Sequence, residues 1–335
     1  MSAPRVSVLL PARDAAPTLP AALESLQRQT MREWECVLID DGSLDATATI
    51  AATLAADDPR LVVISTPRHG LVAALSAGLA RCRGEYVARM DADDLMRRDR
   101  LAVQVAVLDA APHLAAVGAH VRFFPRAGMS DGLHAYERWL GSIDSPARVR
   151  ADAFVECPVA HPTLLVRRAV LAELGYRDRG WPEDYDLVLR LLAAGHEIDV
   201  VTRRLLARRD LPTRLTRTHA SYALDRLTAC KASFLADGFL AGSERYVLWG
   251  YGGTGRALAR ALRSNGKWPS HVVEVHPRRI GNVIQGAPVV APAALADLPR
   301  GRLVASVSGP QARGEIRAFL ATLGWRETQD FVCAA

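Results

Sequence analysis

Lysine is almost missing from this 335-residue sequence: Lys231 and Lys267 are the whole complement, although lysine and arginine together number 42. The net charge of +6 is therefore carried by arginines spread along the chain, with no basic tail and no aromatic residues interleaved among them. That distribution lacks the footprint of a nucleic-acid-binding surface and fits service to phosphate groups or an anionic surface. Aromatic residues make only 6% of the total, so the core has to be built from Ala, Val and Leu. The five cysteines (Cys36, Cys82, Cys157, Cys230 and Cys333) include no CxxC pair. An odd, dispersed set points to free thiols in a reducing compartment and against a disulfide framework. No apolar run approaches the roughly 20 residues of a membrane span. The opening MSAPRVSVLL lacks the basic start and apolar core of a secretory signal. A cytoplasmic location is expected, with peripheral contact at the inner face of the membrane as the variant. The length favours two domains over one.

The stretch GEYVARMDADDL, residues 84–95, organises the rest. Residues 85–90 have the apolar, β-branched and aromatic composition of a buried strand. Asp91, Asp93 and Asp94 follow where that strand must end, and residues 98–109 read as a helix. Three carboxylates at the mouth of a strand repel one another and lose solvation unless a cation or hydrogen-bond donors compensate. A hard divalent cation held by Asp-x-Asp, its remaining positions filled by phosphate oxygens and water, is one solution. The other is local, with Asp93 or Asp94 capping the next helix. The stretch by itself does not choose.

Residues 5–10, 34–39 and 61–65 read as strands. Helical patterns follow them over 18–29, over 45–56 with Asp45 as cap, and over 70–81. With the strand before the acidic cluster these make four βα units, which implies a mostly parallel sheet covered on both faces. Ligands of such sheets bind beyond the carboxyl ends of the strands. Residues 11–14, 40–43 and 91–94 all fall at that edge, which tips the balance from a cap toward ligand chemistry.

Four blocks occur in order: SVLLPARDAAPTLPAALESLQRQT, WECVLIDDGSLDAT, GLVAALSAGLARCRGEYVARMDADDL and WPEDYDLVLRLLAAG. In them the sequence resembles a family 2 glycosyltransferase of GT-A fold, over residues 6–195. The resemblance implies a nucleotide-sugar-binding α/β domain of GT-A type. In that family the first-strand loop and the acidic turn hold the base and ribose of a sugar donor. Those positions fall here on Pro11, Ala12, Asp14 and Asp41, with Asp40 beside them. An ordinary polar turn is the other reading of residues 41–43. By the same resemblance Asp91 would approach the ribose, and Asp93 would coordinate Mg2+ or Mn2+ bridging the donor diphosphate. Asp184, of the Glu183-Asp184 pair, would be the base that takes the acceptor hydroxyl's proton in an inverting transfer. Its competing reading is a helix cap, as for Glu183. Trp181 would stand on the acceptor side with Glu183, as an apolar wall for a sugar ring or as loop packing. The family commonly carries an Arg-Asn pair in the helix after Gly70, where this chain reads AALSAGL at 73–79. Arg68 or Arg89 is left to make that donor contact.

Residues 115–124 read as another strand, and 125–151 as a polar excursion around a helix at 134–140, of the kind that forms substrate loops or lids. The segment CPVAHPTLLVR, 157–167, looks like a strand crossing back under the site. His161 within it either faces the acceptor or is a hydrogen-bonded structural residue. Residues 197–209 are expected as a strand pair running into an arginine-rich stretch. Relatives in the resembling family often close a loop on the donor diphosphate here. Arg214, Arg217 or His219 would serve, since arginine binds phosphate bidentately. A solvated basic face touching anionic lipid is the alternative.

After a helix at 222–236 and a linker at 237–243, the motif GYGGTG at 250–255 lies between a strand at 245–249 and a helix at 256–263. Gly250, Gly252, Gly253 and Gly255 in such a turn can bring backbone amides and a helix N-terminus to a phosphate. Glu274 closes the next strand, 271–275, near the ~20-residue spacing of a ribose-binding acid. Strands at 289–290 and 303–307 and a helix at 311–323 complete a small Rossmann-like α/β domain. It is similar to the nucleotide-binding half of sugar acetyltransferases; a tight packing turn is the other reading. The expected division is a GT-A domain over 1–240 and this module over 241–335. The expected function is a metal-dependent inverting transfer from a nucleotide-diphospho-sugar, a UDP-sugar for preference, to a hydroxyl of a glycan or lipid-linked acceptor. Two alternatives act through the Gly250 module: an NAD-linked oxidoreductase, and a non-catalytic nucleotide-sugar-binding protein. The module's shortness and the lack of a nearby Tyr-Lys pair oppose the first. Intact Asp91, Asp93 and Asp184 oppose the second.

Overall fold

The computed structural model describes residues 3–335. The chain divides into two compact units. The first takes the chain up to Val149 together with Val159–Arg179 and Asp186–Arg217, and the second comprises Arg150–Pro158, Gly180–Tyr185 and Thr218–Ala335. Among the described residues no helix is long and apolar enough to cross a membrane. All five cysteines are buried free thiols.

The first unit is built on strands β1 (Val6–Ala12), β2 (Trp34–Asp41), β3 (Leu61–Thr66), β4 (Tyr86–Arg89), β5 (Leu95–Met96), β6 (Leu114–Phe124), β7 (Leu165–Arg167) and β8 (Glu197–Arg209). Their order is β3-β2-β1-β4-β7-β6-β8-β5. The four strands β3, β2, β1 and β4 are parallel, as are β6 and β8. β7 runs antiparallel to both neighbours, and β5 antiparallel to β8. This is the mostly parallel sheet expected from four βα units. β1 and β2 are buried at every residue, which is why they read as unbroken apolar runs instead of alternating ones. Register pairs Ala12 with Asp40 and Asp41 with Thr66, so these strands end together at one edge.

Entry into β4 is fixed by a buried carboxylate. Glu35 accepts from Ser7 Oγ (2.7 Å) and from Arg83 N, Nε and Nη2 (2.8, 2.9 and 2.6 Å). Ser7 Oγ in turn accepts from Gly84 N at 2.8 Å. Three strands are thereby pinned at the amino edge, and β4 delivers its last residues to the opposite edge at a defined height.

In the first unit two local expectations change. The segment 157–167 is not one strand: a 3-10 turn, His161–Thr163, precedes the three residues of β7. Pro158 and Pro162 have no N–H to give a ladder, which confines the strand to residues beyond them. Residues 197–209, expected as a strand pair, form the single strand β8. No glycine or proline interrupts it, and it bends through register shifts opposite Ala119, His120 and Val121 instead. The polar excursion after β6 contains the helices Asp131–Leu140 and Pro146–Asp152.

The second unit holds β9 (Arg245–Trp249), β10 (Trp268–Val273), β11 (Val283–Ile284), β12 (Ala287–Val290), β13 (Leu303–Ala305) and β14 (Phe331–Cys333), in the order β11-β12-β10-β9-β13-β14. All neighbours are parallel except the β11–β12 hairpin. Side chains alternate between two cores, as strands require. Tyr246, Leu248 and Val304 pack with Leu258, Ala259 and Leu262 of the helix Gly253–Ser264. Val247, Trp249, Leu303 and Ala305 pack with Ile316 and Leu320 of the helix Pro310–Thr322. The two helices thus cover opposite faces of a small parallel sheet. The expected linker at 237–243 is partly a π-helical turn, Leu235–Phe239, continuing the helix Leu224–Phe234.

Candidate active site

β4 is buried along its length, and the chain turns immediately after it through Asp91, Asp93 and Asp94. Each contributes a carboxylate oxygen, and these oxygens lie within 4.8 Å of one another. The helix-cap reading of Asp93 and Asp94 fails. The next helix starts only at Arg100, with Asp99 before it, and Asp94 Oδ1 instead accepts from Arg209 N at 2.9 Å.

Arginine surrounds the cluster. Arg214 Nη2 donates to Asp91 Oδ2 at 2.8 Å, while its Nη1 stands 3.5 Å from Asp93 Oδ2 and 3.4 Å from Asp94 Oδ1. Arg89 Nη2 donates to Asp91 Oδ1 at 2.6 Å. Arg209 Nε donates to the Asp93 carbonyl at 3.0 Å, and its guanidinium lies over the Phe124 ring. Fully buried Arg100 donates to the Arg89 carbonyl at 3.0 Å. Asp94 is 0% exposed, and its Oδ2 has no hydrogen-bond partner among the described residues.

These neighbours set the charge states. Burial pushes Asp91 upward, but Arg89, Arg214, Arg208 and His161 outweigh it and hold the carboxyl below its ordinary range. Burial, and then the charge of Asp91, push Asp94 up to about 7 against the pull of Arg214. Asp93 is raised for the same two reasons. Burial lowers Arg100 to about 9. A hard cation arriving here would find oxygen donors only, including one orphaned buried oxygen, so the donor set suits Mg2+ or Mn2+.

At the same strand edge the loops after β1 and β2 are stitched together. Asp14, at φ 48°, accepts from Leu44 N (2.8 Å) and donates its own N–H to Ser43 Oγ (2.9 Å). Buried Asp41 accepts from His69 N at 2.8 Å and Gly70 N at 3.1 Å, with Arg13 Nη1 at 3.5 Å. Asp40 Oδ1 accepts from Ser43 N at 3.3 Å. Pro11 and Ala12 are the buried last residues of β1. Arg68 is exposed beyond β3, whereas Arg89 is spent on Asp91. His161 is buried, with Nε2 3.3 Å from Tyr176 Oη.

The arginine-rich stretch is a set of specific pairs. Arg203 binds Asp99 (2.6 Å), Arg208 lies over Phe123, and Arg217 binds Asp210 (2.6 Å). The second unit contains Trp181, Glu183, Asp184 and His219. Glu183 is the first residue of the helix Glu183–Ala193 and accepts from Tyr222 Oη at 2.5 Å. Asp184 follows it, half-buried, its Oδ1 accepting from Tyr185 N at 2.7 Å. Exposed His219 accepts from Ser221 N at 3.3 Å, capping a short 3-10 turn. Gly250, Gly252, Gly253, Gly255 and Glu274 lie beyond the ends of β9 and β10. Arg100 carries no local signal in the sequence, where nothing separates it from its exposed neighbour Arg98.

A mostly parallel sheet with an Asp-x-Asp cluster closing its fourth strand defines an α/β glycosyltransferase of GT-A fold. Residues 7–175 match the sequence model of Glycosyl transferase family 2, about half of the chain. The chain belongs to that family and is a glycosyltransferase. It is 33% identical over 201 residues to EpsE of Bacillus subtilis, named as a glycosyltransferase, covering 58% of this chain and 69% of that one. With the amylovoran biosynthesis glycosyltransferase AmsE of Erwinia amylovora it shares 32% over 182 residues, 54% of this chain and 66% of AmsE. Among solved structures the fold is similar to Staphylococcus aureus TarS 1-349 in complex with UDP (TM-score 0.54, 18% identity, 77% of this chain and 70% of that chain). It is also similar to the mannosyltransferase PcManGT of Pyrobaculum calidifontis in complex with GDP-Man and Mn2+ (TM-score 0.53, 19% identity, 97% and 82%).

Proposed function

We propose that this protein moves a sugar, with inversion, from a nucleotide-diphospho-sugar to a hydroxyl of a glycan or lipid-linked acceptor in polysaccharide synthesis. A UDP-sugar is the favoured donor. The observation that carries the reading is the acidic cluster: three carboxylate oxygens within 4.8 Å at the end of β4, beside the stitched loops of β1 and β2. The names of relatives lend support, since AmsE is named for amylovoran biosynthesis. TarS holds UDP, and PcManGT holds GDP-Man with Mn2+.

In this reading Asp41, Asp40, Asp14, Pro11 and Ala12 receive the base and ribose, and Asp91 meets the ribose. Asp93 holds Mg2+ or Mn2+, with Asp94 Oδ2 as a further oxygen. When bound, the ion supplies positive charge to the diphosphate oxygens. Arg214 supplies the protein's own positive charge, and its planar fork suits bidentate contact with a diphosphate. Asp184 accepts the proton of the attacking hydroxyl. The bond from the acceptor oxygen to the anomeric carbon forms as the bond to the diphosphate oxygen breaks, and the nucleoside diphosphate departs with that electron pair. Trp181, Glu183 and His161 serve the acceptor side, and His219 the donor loop. Residues 1–240 carry this reaction, and 241–335 are the part of the second compact unit (Arg150–Pro158, Gly180–Tyr185 and Thr218–Ala335) that has no role in it.

The test is release of UDP or GDP from UDP-glucose, UDP-N-acetylglucosamine or GDP-mannose with Mn2+ present. Release that disappears on Asp184→Asn and on EDTA addition supports the reading. Release unaffected by both overturns it.

A further inference from the structure

The strand order of the second unit creates a switch point that the transfer reaction does not use. Counting from β9, its parallel strands stand in the order third, second, first, fourth, fifth (β12-β10-β9-β13-β14). The order of strand addition therefore reverses between β9 and β13, and in open parallel sheets that switch point, beyond the carboxyl ends, is where ligands sit. Here the two sides are the Gly250–Gly255 turn after β9 and Ser306 to Ser308 after β13, joined by Thr254 Oγ1 and Ser308 Oγ at 3.1 Å.

Packing explains only some of the glycines. Gly250 has φ 92°, and a Cβ on Gly255 would come within 2.1 Å of the Gly250 carbonyl oxygen, so these two close the turn against the helix. Gly252 has an ordinary φ of −74°, and apart from the adjoining residues and the helix's own backbone nothing lies within 4 Å of where a Cβ on it or on Gly253 would stand. Their lack of side chains leaves the first amides of the 12-residue helix Gly253–Ser264 open, with no side chain capping them. Such a terminus attracts an anion.

Two further residues lie beside this turn. Glu274, 9% exposed, is the first residue past β10; its Oε1 accepts from Tyr251 N at 3.1 Å and its Oε2 lies 3.4 Å from Arg279 Nη1. Ser306 is 3% exposed, and its N–H extends the ladder to the Trp249 carbonyl at 2.8 Å. By strand alternation its side chain shares the face of Val304, the face that carries the helix Gly253–Ser264. Its Oγ has no hydrogen-bond partner among the described residues. A buried hydroxyl without a partner is costly, and beside an open helix terminus it is a donor waiting for an oxygen.

We propose that this switch point is a second nucleotide site, independent of the acidic cluster, that binds a ribonucleoside diphosphate. The diphosphate lies on the amides at Gly252 and Gly253 within reach of Ser306 Oγ, and Glu274 accepts from a ribose hydroxyl. A dinucleotide and a nucleoside diphosphate share this chemistry.

The test titrates NADH, ADP-ribose and UDP separately into the full chain in EDTA, and into the chain carrying Asp91→Asn and Asp93→Asn. At least one probe is expected to bind both proteins with equal affinity; which one binds separates a dinucleotide from a uridine nucleotide. Gly252→Val, which fills the open side of the turn, and Glu274→Gln, which keeps the acceptor for Tyr251 N, are each expected to weaken binding about tenfold or more. If Gly252→Val lowers the melting temperature, Glu274→Gln decides. Absence of binding by all three probes overturns the proposal. So does binding that vanishes with Asp91 and Asp93, or binding indifferent to Glu274→Gln.

Discussion

Arg214 donates to Asp91 Oδ2 at 2.8 Å while standing 3.5 Å from Asp93 and 3.4 Å from Asp94. One guanidinium thus compensates three crowded carboxylates that a bound cation would otherwise have to neutralise. Removing one partner of a buried ionic set leaves uncompensated charge, at a cost of about 3 kcal/mol. Arg214→Met is therefore expected to melt well below the parent in EDTA and to recover more than the parent does on adding Mn2+. Equal melting temperatures in EDTA would show that the pairing contributes little.

The three aspartates should respond differently to the amide. Burial already favours the neutral form of Asp94, and asparagine keeps an acceptor for Arg209 N. Asp94→Asn is expected to leave stability within about 1 kcal/mol of the parent or to raise it. Asp91 is held ionised by Arg89 and Arg214, so Asp91→Asn is expected to cost about 3 kcal/mol. Urea denaturation of both variants decides, and the reverse order would contradict the charge assignment.

Lys231 gives the second unit a pH signature. It is 7% exposed, donates to the Val155 and Ala334 carbonyls at 2.9 and 3.1 Å, and is lowered by burial to about 8 from an ordinary 10.5. Between those values the unfolded chain binds the proton and the folded chain does not, so stability rises with pH. The contribution is complete above 10.5 and is lost as pH falls through 8. Across that window the parent is expected to gain up to about 3 kcal/mol over Lys231→Met. A stability difference that stays flat from pH 8 to 10.5 would contradict the shift.

For Asp184→Asn the expected loss in turnover is about a hundredfold to ten-thousandfold, the range of a general base. Donor affinity should stay within about twofold, because the proton it takes belongs to the acceptor. Steady-state rates set beside UDP titration check this. Comparable loss of both would sink the assignment.

How much was legible in the sequence depends on range. The βα units, and the acidic residues at the end of β4, are written in contiguous patterns: apolar runs, helical spacing and a polar stop. The partners of the acidic cluster are not. Arg214 lies 123 positions from Asp91, and Arg209 lies 115 from Asp94. Their meeting depends on β8 running parallel to β6 and bringing the following loop back to the edge of β4, which no local pattern records. The arginine-rich stretch likewise read either as a loop for the donor diphosphate or as a basic face, because composition cannot show that Arg203, Arg209 and Arg217 each have a separate partner. The strand expected across 157–167 yielded to its prolines, which a stricter reading of Pro158 and Pro162 would have caught.

In the proposed reaction Asp93 makes nucleotide binding depend on a divalent cation. Calorimetric titration of UDP and of GDP, in EDTA and then with Mn2+, into the parent and Asp93→Ala tests it most directly. Mn2+ is expected to add a binding step for one of the two nucleotides in the parent, and Asp93→Ala is expected to lack that step. A parent in which Mn2+ adds nothing, or an Asp93→Ala protein that keeps the step, would contradict it.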